Sequence, residues 1–261
     1  MNSTYSLSTG SIGMLISMPH NGQQIPKSIA DTMTPSAQNV ADTDWYMDKL
    51  YDFATTMGIY TLSPVYSRYV IDLNRNPSGE ILYAGADNTE LCPTTTFDLS
   101  PLYLEKQQPS PQEIADRVEH YWQPYHQTLA NTLAQLKKRY NKVVLLDAHS
   151  ILSQVPRFFE GKLPDFNFGT ADGTSCDPLL TDNIRSLDLS PYTSVFNGRF
   201  KGGYITRAYG DPENNVHAIQ LELSQHTYMD EPSNHYNEQK AEQVKEQLKR
   251  FVECLVNFTK H

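Results

Sequence analysis

Two rhythms of apolar residues run along this chain. The first is uninterrupted. Val143-Val144-Leu145-Leu146 is too short for a helix and rich in branched side chains, which predicts a central strand buried on both faces. Residues 13–18 predict a second short strand, stopped by the turn signal Pro19-His20-Asn21-Gly22. Residues 216–223 alternate as a strand does and carry Glu222 near their end, while 60–62 and 69–71 are shorter strand candidates. The second rhythm is helical. Apolar positions 47, 50, 51, 54 and 57 predict a helix closed by Gly58, with Asp42 or Thr43 as its cap. Ile114, Val118, Tyr121, Tyr125, Leu129, Leu133 and Leu136 predict a helix over 111–140, kinked or split at Pro124. Further helices are expected at 178–187 and 234–258, and residues 23–41 read as loop or weak helix.

The remaining segments are irregular. Tracts 77–111 and 152–178 are long enough to serve as lids over a site. Residues 200–207 are glycine-rich and then strand-like. With no repeat, low-complexity segment or linker, residues 1–261 read as one α/β domain.

Composition narrows the function. Charged residues make up 20% and hydrophobic residues 39%, as in an ordinary globular protein. A net charge of −9 argues against nucleic acid as a partner, while leaving room for a small anionic substrate gripped by a few arginines. No apolar run is long enough for a membrane helix, and the first residues lack the pattern of a signal peptide. The three cysteines, Cys92, Cys176 and Cys254, form no CxxC pair. A reducing, cytoplasmic setting is the expectation.

Candidate chemistry gathers at predicted strand ends, where α/β sheets bind ligands. His20 and His149 each stand at one. With Asp44 they make a three-ligand zinc set with a fourth position open for water. Asp42 competes with Asp44, and each residue also reads as a satisfied turn or cap group. Asp147, two residues before His149, shares its strand face and reads as the carboxylate that orients a zinc histidine. Arg68, Asn74 and Arg75 cluster around Asp72, suited either to gripping a carboxylate or to a strand-end ion pair between Arg75 and Asp72. Glu222 interrupts an apolar strand, as a general base or as the partner of a buried arginine. Arg207 ends the glycine-rich tract and is a further candidate for an anionic substrate. Ser150 follows His149 without any GxSxG, so no serine nucleophile is indicated. His126 lies in the long helix and is expected to face solvent.

Several short motifs occur in one order: Pro19-His20-Asn21-Gly22, Asp42-Thr43-Asp44-Trp45, Tyr66-Ser67-Arg68, Asp72-Leu73-Asn74-Arg75-Asn76-Pro77, Asp147-Ala148-His149-Ser150, Asn167-Phe168-Gly169-Thr170, Gly202-Gly203-Tyr204-Ile205-Thr206-Arg207, Gln220-Leu221-Glu222-Leu223 and Tyr228-Met229. The ordered set, spanning roughly 13–230, resembles the N-formylglutamate amidohydrolase family, which is related to zinc carboxypeptidases. The resemblance implies a mixed, mostly parallel sheet flanked by helices, of the zinc-carboxypeptidase-like (phosphorylase/hydrolase-like) kind. It implies one zinc ion per chain at His20, Asp44 and His149, although the same donors suit other divalent ions. It matches Asn74-Arg75 to a carboxylate-binding pair, with Arg68 or Arg207 for a second carboxylate, and Glu222 to a catalytic glutamate. Two positions depart from the pattern. Gln23 stands where carboxypeptidases have a ligand glutamate, so Asp44 takes that part; Tyr46 stands where the family often has histidine. The implied reaction is hydrolysis of N-formyl-L-glutamate to formate and L-glutamate in histidine degradation. The alternatives are a related zinc amidohydrolase or carboxypeptidase, or a non-catalytic binder of the same fold. The sequence does not give an oligomeric state.

Overall fold

Every residue of Val143–Ile151 is buried in the computed structural model, which describes residues 3–80 and 87–260. This strand is β4 of seven in one sheet. The others are β1 (Tyr5–Ser8), β2 (Met14–Ser17), β3 (Tyr60–Pro64), β5 (Phe166–Gly169), β6 (Ser194–Phe196) and β7 (Val216–Ser224), in the order β1-β3-β2-β4-β7-β5-β6. β3, β2, β4 and β7 are parallel neighbours. β1 pairs antiparallel with β3, and β5 antiparallel with β7. The sheet is therefore mixed but mostly parallel, and its apolar central strand is covered on both faces, as parallel sheets require.

The helices are α1 (Lys27–Ala30), α2 (Met47–Leu50), α3 (Phe53–Thr56), α4 (Pro111–Arg117), α5 (Gln123–Arg139), α6 (Pro178–Arg185), α7 (Tyr204–Tyr209) and α8 (Glu238–Phe258). Strand alternation decides what each face meets. Met14, Ile16, Val144, Leu146, Ile219 and Leu221 pack against α2, α3, α6 and the stripe Val244, Leu248, Phe251 and Leu255 of α8. Leu15, Val143, Leu145 and Ala218 point the other way, to Tyr125, Leu129, Leu133 and Leu136 of α5. On this second face Val143 and Leu145 give way, two residues at a time, to Asp147 and His149, just as Ala218 gives way to Gln220 and Glu222. The face is apolar in its lower half and polar at the carboxyl ends. Leu146→Ala, in the apolar cluster on the opposite face, is expected to cost about 2–5 kcal/mol. A denaturant titration checks this, with activity per folded molecule unchanged.

Several elements differ from the sequence reading. Tyr69, Val70 and Ile71 are buried but form a turn, with the Val70 N–H on Ser67 O and the Asp72 N–H on Leu91 O; their burial reflects loop packing rather than sheet pairing. The expected helix before Gly58 is two single turns, α2 and α3, and Tyr46 ahead of them has φ 60°. Neither Asp42 nor Thr43 caps it: Asp42 accepts from Phe97 N–H and Thr43 donates to Val40 O. The tract 204–209 is helical rather than extended. β5 and β6 lie within or after stretches read as loop, and β1 within a polar N-terminus. A π-helical turn at 118–122 precedes α5; it loosens the ladder just where Pro124 lacks an N–H. Residues 81–86, part of the expected 77–111 lid, lie outside the described residues.

Candidate active site

Three parallel strands deliver the chemistry to one edge of the sheet. β2 leads into His20, β4 carries Asp147 and His149, and β7 carries Gln220 and Glu222, with His149 directly opposite Glu222 in register. Asp44 is brought in by the loop ahead of α2, its N–H donating to His20 O at 3.1 Å.

One nitrogen of each histidine and one oxygen of Asp44 converge. His149 Nδ1 lies 3.1 Å from His20 Nδ1 and 3.2 Å from Asp44 Oδ2, and the three ligand atoms all fall within 4.8 Å of one another. The outer nitrogens meet buried carboxylates: His20 Nε2 is 2.7 Å from Asp72 Oδ1, and His149 Nε2 is 2.9 Å from Asp147 Oδ1. If those nitrogens carry the protons, as the carboxylates demand, Nδ1 of both rings and Asp44 Oδ2 face one another as bare electron pairs. Such an arrangement could hold a cation between them. A divalent ion fits the donor set, two imidazoles and a carboxylate, each held from behind by a carboxylate or a backbone group. The Ser150 N–H fixes Asp44 Oδ2 at 3.0 Å. Without a metal a proton fills the role. Burial opposes a charge on His149, but Asp147 and Asp44 outweigh it and hold its imidazolium well above the ordinary range. His20 goes the other way, lowered by burial and by the Arg68 charge.

Asp42, the competing ligand, is turned toward Phe97 and lies outside this group, and burial pushes its carboxyl up to about 6. Arg68 is buried and donates to Asp72 at 2.7 Å, with Asp44 3.8 Å away and the Phe97 ring 5.0 Å beneath its guanidinium. Arg68, not Arg75, is thus the ion-pair partner of Asp72. Burial acts to raise the Asp72 carboxyl, yet His20 and Arg68 hold it well below the usual carboxylate range.

Asn74 is committed within the site. Its Oδ1 accepts from the Ile205 N–H at 2.7 Å, and its Nδ2 lies 3.2 Å from Asp147 Oδ2 and 2.9 Å from His149 Nε2. A Cβ on Gly203 would sit 2.3 Å from that Nδ2, so the glycine is what lets α7 approach. His126 is buried, contrary to the solvent-facing position expected of it. Its Nε2 donates to Leu73 O at 2.8 Å while Trp122, stacked 3.6 Å from it, donates to Arg75 O at 3.1 Å. Together they grip the carbonyls on either side of Asn74.

Glu222 is buried, with Gln220 Nε2 3.4 Å from its carboxyl. Burial pushes its pKa up to about 8, with the charges of His149 and Arg68 opposing. It faces a cleft lined by His20, Arg68, Arg75, His149, Arg199 and Glu222 among others. Arg75 is set in place by Thr89, whose carbonyl and hydroxyl accept from it at 3.2 and 2.8 Å. Arg207 stands apart: it lies on the exposed side of α7, donates to Gly202 O, and is not among the cleft residues. Arg199 is, and sequence reasoning passed over it; its only signal was its place between Asn197-Gly198 and the Phe200-Lys201-Gly202-Gly203 tract. Tyr46 donates to Asn234 O at 2.8 Å and lies outside the cleft lining.

Fold and site define a class: an α/β protein with a buried His–Asp–His group and a facing carboxylate at the carboxyl ends of parallel strands, the layout of a hydrolytic centre. A model of the N-formylglutamate amidohydrolase family matches residues 12–229, and the chain belongs to that family. It is 44% identical over 259 residues to an N-formylglutamate deformylase of Pseudomonas putida and 45% identical over 259 residues to one of Pseudomonas aeruginosa, covering 98% of this chain and 97% of each relative. A crystal structure of N-formylglutamate amidohydrolase from Ralstonia eutropha JMP134 shares the fold, with a TM-score of 0.82 at 24% identity over 98% of each chain. A gene product of Agrobacterium tumefaciens does so with a TM-score of 0.74 at 14% identity, over 98% of this chain and 96% of its own. Among the described residues no helix is long and apolar enough to cross a membrane.

Proposed function

We propose that this protein hydrolyses N-formyl-L-glutamate to formate and L-glutamate, with a divalent ion, zinc by the donor types, held by His20, Asp44 and His149. The observation that carries the reading is the convergence of three electron-pair donors beside Glu222 in an arginine-lined cleft. The names of the two Pseudomonas relatives agree with it. When bound, the ion supplies an acidified water and polarises the formyl carbonyl.

The chain's own residues do the rest. Asp72 and Asp147 keep the protons of His20 and His149 on the outer nitrogens, so the inner ones stay electron-pair donors. A divalent charge nearby would offset the burial that raises Glu222. Glu222 then takes a proton from the attacking water and returns it to the leaving nitrogen. Arg75, fixed by Thr89 and adjacent to Asn74, is placed to hold a substrate carboxylate. Such an activity would suit the last step of histidine breakdown that the motifs implied.

The test is formate release from N-formyl-L-glutamate set beside acetate release from N-acetyl-L-glutamate. The formyl substrate is expected to be preferred by about 10- to 200-fold, the range for one extra methyl group in a fitted pocket. Preference for acetyl removes the formyl assignment, and turnover of neither substrate removes the enzyme.

A further inference from the structure

N-formylglutamate carries two carboxylates, and three arginines line the cleft: Arg68, Arg75 and Arg199. The charge of Arg68 is committed to Asp72 and Asp44, which it holds in place for the histidines. Arg75 follows Asn74 in the chain and lines the same cleft as His20, His149 and Glu222. Arg199 arrives from another flank of the sheet, on the segment after β6, whereas Arg75 is on the loop after β3.

Two features suit Arg199 to a particular ligand. Its Nε–H donates to Phe158 O at 2.7 Å, and its guanidinium lies 5.6 Å from the Phe158 ring and 5.5 Å from the Phe200 ring. The plane of the fork is therefore set by the protein. Those two rings pack with Ile151 and Phe97 in a small apolar cluster, and all four residues line the cleft. The wall at Arg199 thus combines apolar rings with a cation, which matches a side chain of methylenes that ends in a carboxylate. Asp87 lines the same region; Arg157 holds it with two contacts of 2.9 and 3.0 Å, and the charge of Arg199 acts on it as well.

Resting on the deformylase reading, we propose that Arg199 binds the side-chain carboxylate of the substrate and sets the preference for an acidic over a neutral side chain. Arg75 takes the α-carboxylate, which every N-formyl amino acid shares. The pair divides recognition: one arginine reads the amino-acid backbone and the other reads the side chain.

The experiment compares N-formyl-L-glutamate with its neutral isostere N-formyl-L-glutamine, in wild type, Arg199→Gln, Arg199→Lys and Arg75→Gln, each checked for an unchanged melting temperature. Arg199→Gln is expected to lose about 100-fold in kcat/KM on formylglutamate, the worth of a charge-assisted hydrogen bond. The loss falls mainly in KM, because the contact persists from bound substrate to transition state. Turnover of formylglutamine stays nearly unchanged, Arg199→Lys recovers part of the loss, and Arg75→Gln lowers turnover of both substrates. Equal losses on both substrates in Arg199→Gln, or an unaltered preference, overturn the assignment. A wild-type protein inactive on both overturns the deformylase reading instead, and the assignment with it.

Discussion

Glu222→Gln is expected to lower kcat by about 10²–10⁴-fold, the range for loss of a general acid–base group, with KM and bound metal nearly unchanged. The reason lies in its surroundings. Glu222 sits on β7 opposite His149, with Gln220 Nε2 3.4 Å away. A glutamine keeps the shape and the β7 backbone bonds but cannot take up a proton. The same substitution should stabilise the metal-free protein. Folding raises this carboxyl, chiefly through burial, from its ordinary value of 4.5 to about 8. A raised carboxyl costs stability as pH rises from the first value toward the second, because the folded state then holds a proton that the unfolded chain has lost. Glutamine has no such cost. Chelator-treated Glu222→Gln should therefore gain on wild type in denaturant midpoint between pH 5 and pH 8, while kcat falls. A variant that loses stability along with activity, or keeps most of its activity, would remove Glu222 from the proton path.

The parts of this fold that carry long patterns were legible in the sequence. Val143-Val144-Leu145-Leu146 reads as a strand covered on both faces, and the stripe of 234–258 as a helix packed on one, and both are found so. The candidate ligands were legible because polar residues that close an apolar strand are conspicuous, as with His149 and Glu222. What the sequence hid is what depends on contacts between distant segments. β5 and β6 are four and three residues long, too short for a period to show; β5 forms on the edge of β7, and β6 on the edge of β5. Tyr69-Val70-Ile71 has strand composition but is buried by loop packing. His126 was read as exposed because its helix alone does not reveal that the loop around Asn74 folds over it. Arg68 stood out beside Asp72 and Asn74, whereas Arg199 carried no motif of its own. Contacts between distant segments tell them apart: Arg68 pairs with two buried carboxylates beside the histidines, while Arg199 lies beside two phenylalanine rings of the cleft wall.

His149→Ala is expected to abolish stoichiometric metal binding and to lower activity at least about 10³-fold, since a catalytic ion is worth several kcal/mol. Wild-type protein should hold about one divalent ion per chain and lose activity on chelation, recovering it with added zinc. The supporting carboxylate gives a graded control. Asp147 Oδ1 is 2.9 Å from His149 Nε2, and its other oxygen accepts from Thr206 at 3.1 Å. Asp147→Asn leaves the ligands in place while weakening the hold on one ring, so metal affinity should drop by about 10- to 100-fold. Excess metal should then restore turnover in Asp147→Asn but not in His149→Ala. That ordering separates a metal centre from a merely satisfied polar core. In a core without metal, His149 would serve as the buried cation between Asp44 and Asp147, and removing it would take the ion-pair partner from Asp147 and leave Asp44 with Arg68 3.8 Å away. The damage would then appear as lost stability, equal with and without zinc. If wild-type protein takes up no divalent ion and its activity survives chelation, the convergence of His20, Asp44 and His149 is a buried ion-pair network and the metal assignment falls.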